Sequence, residues 1–255
     1  MNRDCGDVVR FFAADTQGWV IHRLLMFGVL CCLVCPTETQ AADWPQFLGI
    51  DRTGISSESG LLSAWPEAGP RVLWRKSLGT GMSGLAVMQG TAYTLFQDQE
   101  FQYLVALSVA DGNEIWKCPV SAAFENSMGN GPRSTPTVSG ERVIAYSADG
   151  VLVSVMRYTG KVSWSVDVLK LMKAEPPDYG ISCSPLVVAE NVIVHAGGDR
   201  AAVVAFDVAT GEKRWAVGRS AAGYSSPMLM QLAGRKQVVA FCGSVLLGID
   251  PESGK

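Results

Sequence analysis

Six residues have types and spacing suited to holding a ligand: Asn126, Asn130, Arg133, Asp178, Tyr179 and Tyr224. They lie in three turn-rich segments, Phe124–Pro136, Ala174–Pro185 and Ser220–Pro227, and Gly79–Gly84 is a fourth segment of that kind. A guanidinium such as that of Arg133 can grip a carboxylate through two parallel N–H bonds. Amide and phenol groups converging beside it would orient a small polar ligand or a peptide. The competing reading is structural. Turn-rich loops leave backbone groups that side chains must satisfy, so the same six residues could brace one loop against the next.

Other reactive types offer less. His195 stands in Asn191–Gly198 (NVIVHAGG) with no acid or nucleophile beside it in sequence, the pattern of a packed strand histidine. Cys118, Cys183 and Cys242 show no paired metal-ligand spacing. They read as small buried side chains, with one disulfide among them left open. No nucleophile elbow, phosphate loop or metal-binding helix motif occurs. The chain carries a net charge of −3 with scattered Lys and Arg. Nucleic-acid binding needs clustered positive charge to displace counterions, so that class is excluded. Catalytic, cofactor and metal residues are assigned to none.

The elements that must position these loops repeat. Ala202–Trp215 (AVVAFDVATGEKRW) reads as an apolar strand, a tight turn closed by Gly211, and a strand entered through Trp215. Related stretches are Leu104–Trp116, Leu152–Trp164 and Val245–Lys255, with turn glycines Gly112, Gly160, Gly211 and Gly254. Their separations are 48, 51 and 43 residues. A period of about 40–50 residues with several strands per unit is the signature of a β-propeller. Asp207 and Asp250 can accept bonds from turn N–H groups, and Gly takes the left-handed backbone without a Cβ penalty. Ser108 holds that position in one copy; Met156 cannot do the same job, so its turn is expected to be the weakest.

Trp116, Trp164 and Trp215 each follow a turn glycine by four residues. Equal spacing in every copy marks scaffold stacking, a flat side chain filling the gap between blades. After each comes a loop and a Ser/Thr-Pro step: Thr135-Pro136, Ser184-Pro185 and Ser226-Pro227. Proline lacks a ladder N–H and belongs at the start of a strand. The next strands are expected at Thr137–Ser139 with Arg142–Ser147, Leu186–Ala189 with Val192–Ala196, and Met228–Leu232 with Gln237–Phe241. Four strands per unit make one blade. The fold class is all-β: a propeller of four-stranded blades, about four present from Trp74 onward and the last incomplete.

Leu24–Cys35 is a 12-residue apolar run behind His22 and Arg23, followed by small residues at Ala41-Ala42. It is shorter than the roughly 20 residues a membrane span takes. The pattern predicts a secretory signal peptide over 1–41. Residues 42–71 then form an extended lead-in, and 72–255 the propeller. Without residues 1–41 the chain has 18 Lys/Arg against 20 Asp/Glu, near neutrality.

The unit D-x-x-T-G-x-x-x-W, here Asp207–Trp215, resembles the repeat of the pyrroloquinoline-quinone-like (quinoprotein-like) β-propeller superfamily. The Ser-Pro step, the lead-in DWPQFLGIDRTG and the loop GNGPRSTP at Gly129–Pro136 resemble those of secreted bacterial proteins of this type. The resemblance implies a propeller that normally has seven or eight blades, so four would form an open arc, a truncated product or part of a longer chain. It implies either a quinone-dependent alcohol dehydrogenase or a non-catalytic member, such as the propeller lipoprotein of the outer-membrane β-barrel assembly machinery. The catalytic members resemble one another in a vicinal disulfide and a calcium cluster beside the quinone. Here the adjacent cysteines, Cys31-Cys32, lie in the leader, and no calcium set is placed by motif.

The reading is therefore an exported propeller, periplasmic or extracellular, with no enzymatic activity. It would bind a protein or small polar ligand through its axial loops, with self-association through its open edges as a further property. No cofactor is assigned. The alternative is a quinoprotein-type alcohol dehydrogenase, or its remnant, with pyrroloquinoline quinone and calcium.

Overall fold

The computed structural model describes residues 42–255. The signal-peptide expectation for 1–41 lies outside the described residues. The described chain is all-β apart from one short helix. Blade one comprises β1 (Ala86–Met88), β2 (Thr91–Gln97), β3 (Phe101–Ser108) and β4 (Glu114–Ala122). Blade two comprises β5 (Thr137–Ser139), β6 (Arg142–Tyr146), β7 (Val151–Met156) and β8 (Val162–Asp167), and then α1 (Val168–Met172). Blade three comprises β9 (Leu186–Val188), β10 (Asn191–Gly198), β11 (Ala201–Asp207) and β12 (Lys213–Val217). Blade four has three strands, β13 (Met228–Leu232), β14 (Arg235–Cys242) and β15 (Val245–Ile249). Within each blade every strand pairs antiparallel with its sequence neighbour. Each Ser/Thr-Pro proline immediately precedes the first strand of its blade.

Strand alternation fills two faces per blade. In blade two, Val143, Ala145, Val153 and Val155 pack toward blade one, whereas Ile144, Tyr146 and Leu152 pack toward blade three. In blade three, Val192, Val194 and Phe206 face blade two, and Ile193, Val203 and Ala205 face blade four. A period of two places alternate residues on opposite faces, so a strand buried on both sides reads as a continuous apolar run. The cores join consecutive blades, and none among the described residues joins blade one to blade four. The arc is open.

Each blade is keyed to the next by a tryptophan on a glycine. Trp116 lies on Gly160, Trp164 on Gly211 and Trp215 on Gly254. A Cβ added at these glycines would come within 2.8, 2.7 and 2.8 Å of the indole ring. The indole N–H groups donate to the Arg157, Val208 and Pro251 carbonyls at 2.7, 3.0 and 3.3 Å. The glycines have φ of +68°, +76° and +73°, so the turn and the close approach select the same residue.

The turns differ in their side-chain support. Asp207 accepts from the Ala209 and Thr210 N–H groups, both at 2.8 Å, and Asp250 accepts from Glu252 and Ser253. At the Met156 turn the side chain in the Asp position accepts nothing: the Gly160 N–H donates to the Met156 carbonyl at 2.8 Å, and Thr159 Oγ1 accepts from the Lys161 N–H at 3.4 Å. The repeat pattern does not announce α1. Asp167 caps it, accepting from the Lys170 N–H at 2.9 Å, and Val168 and Leu169 bury into the core between blades two and three.

Gly211→Ala is expected to destabilise the chain by about 3–4 kcal/mol, from the strained φ together with displacement of Trp164. Gly140 also has positive φ, +55°, but nothing lies within 4 Å of its added Cβ. Gly140→Ala is expected to lose only about 1–2 kcal/mol. Urea denaturation of the two variants measures the difference, and equal losses would show that the indole contact adds no constraint.

Candidate functional site

The loops between blades meet at one end of the innermost strands, where they are tied by hydroxyl groups. The Ser184 N–H donates to Ser226 Oγ and the Thr135 N–H to Ser184 Oγ, both at 2.9 Å. Ser83 Oγ donates to the Ser134 carbonyl at 2.7 Å. The Ser184 and Ser226 hydroxyls, each just before a proline, thus accept from the preceding blade as well as starting their own, whereas before Pro136 the acceptor is the Ser134 carbonyl. This explains the serine before Pro185 and Pro227, a signal that the proline alone does not explain.

The lead-in crosses the same strands. Trp44 bridges Val87 of β1, with N–H to carbonyl bonds of 2.8 Å in both directions, and the Val138 N–H of β5 donates to the Pro45 carbonyl at 2.7 Å. Arg52 is only 2% exposed. Its guanidinium donates to the Pro227 carbonyl at 2.8 Å, to the Ser184 and Pro185 carbonyls, and to Gln46 Oε1 at 2.9 Å. One side chain therefore joins the lead-in to the starts of blades three and four. Burial pulls its pKa down to about 10, with Cys183 acting weakly the other way. Sequence reading missed Arg52 because a lone arginine in an irregular segment has no periodicity.

The six loop residues come together over these ties. Asn126 Nδ2 donates to the Asp178 carbonyl at 2.8 Å, and Asn130 Oδ1 accepts from the Asn126 N–H at 3.0 Å. Arg133 Nη2 donates to the Gly129 carbonyl at 2.6 Å and Nη1 to the Gly131 carbonyl. Its guanidinium lies over the Phe124 ring, 4.9 Å from the centroid. Burial lowers the Arg133 pKa, and nearby Tyr224 partly offsets this. The Tyr179 and Tyr224 rings stand 5.6 Å apart, and the Tyr224 hydroxyl accepts from the Tyr179 N–H at 3.3 Å.

Much of the hydrogen-bonding capacity of this cluster is used within the loops. What remains outward is largely apolar and aromatic: Tyr179 and Tyr224 are each 46% exposed, and Met128 is 66% exposed. Arg133 also lines a cavity of about 320 Å³ with Trp44, Phe47, Leu48 and Met82. A larger cavity, about 630 Å³, lies where β9 meets β13 and β14, and it holds none of the six.

His195 is fully buried in β10. Its backbone N–H donates to Cys183 Sγ at 3.4 Å, and its carbonyl accepts from the Tyr146 hydroxyl at 3.0 Å. The Gly223 backbone faces the ring, but neither ring nitrogen reaches hydrogen-bond geometry. Burial lowers the imidazole pKa to about 4 and outweighs the Gly223 contribution. Cys118, Cys183 and Cys242 are separate buried thiols, and burial pushes Cys183 up to about 12 and Cys242 up to about 11. Among the described residues no three His, Cys, Asp or Glu side chains gather to hold a metal ion.

Four-strand sheets, keyed by tryptophan on glycine and started at Ser/Thr-Pro, define a quinoprotein-like β-propeller repeat. The chain belongs to the family described as outer membrane protein assembly factor BamB, whose model matches residues 58–175 and 159–255. It is 27% identical over 150 residues to the quinohemoprotein alcohol dehydrogenase ADH IIB of Pseudomonas putida, matching 54% of this chain and 21% of that protein. The chain thus covers about a fifth of that curated relative's length. Among solved structures it is similar to the quinohemoprotein alcohol dehydrogenase of Comamonas testosteroni, at TM-score 0.54 and 18% identity over 68% of this chain and 34% of that one. It is similar to BamB of Moraxella catarrhalis at TM-score 0.50 and 14% identity, over 67% of this chain and 49% of that one. These two likenesses establish the propeller fold.

His195 makes stability depend on pH. Its folded pKa lies below its ordinary value of 6.5. The neutral form is favoured in the fold, so this contribution is whole above pH 6.5 and is lost as pH falls toward 4. The loss is expected to reach about 3 kcal/mol. Urea midpoints taken between pH 7 and 4 should fall steeply in the native chain and more shallowly in His195→Leu; matching slopes would remove His195 as the cause.

Proposed function

We propose that this chain is an exported, non-enzymatic propeller that binds a protein partner through its axial loop face. The observation that carries the reading is the convergence of three loops on one surface. They combine half-exposed Tyr179 and Tyr224, exposed Met128, and Arg133 held over Phe124. Tyrosine, methionine and arginine are enriched in the buried centres of protein interfaces, where rigid aromatic rings bury area at low entropic cost. Hydrogen bonds among the loops hold the surface in place before a partner arrives, which lowers the ordering cost of binding. Membership in a family described by an assembly factor supports a binding role. Export rests on the leader pattern of residues 1–41. No helix among the described residues is long and apolar enough to cross a membrane.

Affinity capture from envelope extracts of the source cells tests the surface. A partner held by the native chain is expected to be lost, by at least about tenfold, from the Tyr179→Ala/Tyr224→Ala variant, since interface aromatic anchors contribute about 2 kcal/mol or more. Unchanged circular dichroism would show that the fold survives. Equal retention by both chains would move binding off the loop face.

The second reading is a quinoprotein-type alcohol dehydrogenase or its remnant, favoured by the 27% identity to the Pseudomonas putida enzyme. The purified chain is expected to acquire no quinone absorbance and no dye-linked alcohol oxidation when incubated with pyrroloquinoline quinone and calcium. Stoichiometric quinone binding with turnover would replace the binding-module reading.

A further inference from the structure

Arg157 opens the turn after β7 and is only 5% exposed. In the other three copies this position holds Val109, Val208 and Pro251. The scaffold asks one thing of it, a backbone carbonyl for the indole N–H of a tryptophan. Trp74 donates to Val109 at 2.7 Å, Trp116 to Arg157 at 2.7 Å, and Trp164 and Trp215 to Val208 and Pro251. An apolar side chain meets that demand in three copies, so the keying of blade on blade does not account for the arginine.

The Arg157 guanidinium is incompletely used. Nη2 donates to the Tyr158 hydroxyl and to Gln89 Oε1 at 2.8 Å, the latter in the β1–β2 turn of blade one. Nε and Nη1 are buried and have no acceptor among the described residues. The ion pairs among the described residues are made by Arg214 and Arg219, and Arg157 makes none. Asp43 accepts from the Gln89 N–H at 2.8 Å, and Glu141 offers its backbone carbonyl to the Arg157 N–H, also at 2.8 Å. Burial raises the Tyr93 phenol pKa, with Thr91 and then the Arg157 charge acting the other way, so the remaining neighbour is a neutral hydroxyl within reach of the guanidinium's field. Arg52, also buried, spreads its donors over carbonyls. A buried cation with donors left open is costly unless an anion pairs with it.

We propose that Arg157 forms the floor of a binding site for a compact monovalent anion, of the size of chloride or formate, between the turns of blades one and two. One uncompensated charge sets the valence, and the close surroundings set the size. The anion accepts from Nε and Nη1. Tyr158 is the cover: its ring centroid lies 4.5 Å from the guanidinium carbon, yet the residue is 63% exposed. Rotating that ring outward opens the guanidinium to solvent without moving a core side chain. The turn that carries it also lacks the side-chain acceptor that Asp207 and Asp250 supply in theirs. The site lies at the end of the strands away from the loop face and does not depend on it.

Exchanging potassium gluconate, whose bulk the site would not admit, for potassium chloride at constant ionic strength is expected to raise the urea midpoint of the purified chain saturably. Chloride at about ten times its dissociation constant lowers the unfolding constant about tenfold. Arg157→Val, which installs the residue of two other copies, should lose this response and be at least as stable as the native chain in gluconate. Arg219→Val, at an exposed arginine, should keep the response. Chlorine-35 NMR line broadening reads the folded native chain directly, so the test stands even where a variant folds poorly; the broadening should saturate, and formate should displace it. Equal native midpoints in the two salts overturn the proposal. So do a native-like response in Arg157→Val, loss of the response in Arg219→Val, a tenfold loss of stability in Arg157→Val in gluconate, and broadening that formate does not displace.

Discussion

The contact on which the rest of the structure depends is an indole ring lying on a bare glycine backbone. Nothing larger than hydrogen fits beneath the ring, and the turn requires a left-handed backbone at the same residue. The indole N–H then finds a carbonyl in the same turn, so its polar edge is satisfied although the ring is largely buried. One residue pair thus sets the spacing and rotation of each blade on the next. The apolar cores follow, because strands spaced this way bring alternate faces of neighbouring sheets together.

Stability in such an arc is a sum of blades and nearest-neighbour interfaces. The three interblade cores show this directly, since each is shared by two consecutive blades. What ties the innermost strands of neighbouring blades is polar. The Ser184 and Ser226 hydroxyls tie successive innermost strands, and Arg52 carries its charge in among neutral carbonyls at blades three and four. A guanidinium suits that place because its five donors can be distributed among several acceptors, where an ammonium could reach fewer. With these ties in place the loops above them need not carry the fold, and their side chains are free to differ from copy to copy.

Much of the architecture was legible because it repeats. Strand periodicity, turn glycines and Ser/Thr-Pro steps each encode a local backbone requirement, and several copies make each one visible above composition. The helix α1 escaped because it occurs once and is a single capped turn. Arg52 escaped for the same reason, and because its partners are carbonyls, which look alike in any sequence. The six loop residues were identified by type, but type did not show how they would be used. Arg133, for instance, directs two of its nitrogens to the carbonyls of its own loop and lays its plane on Phe124.

The sequence by itself determined the blade: where strands begin, where turns close, and which residue must be glycine. Those are local constraints, set by φ, by the missing proline N–H and by the alternation of side chains along a strand. Tertiary structure decided what each blade touches. It brought residues 44–52 across the innermost strands, placed Trp74 on blade one and buried the His195 ring without a hydrogen-bond partner. Such outcomes depend on which surfaces meet in space, and no spacing along the chain records that.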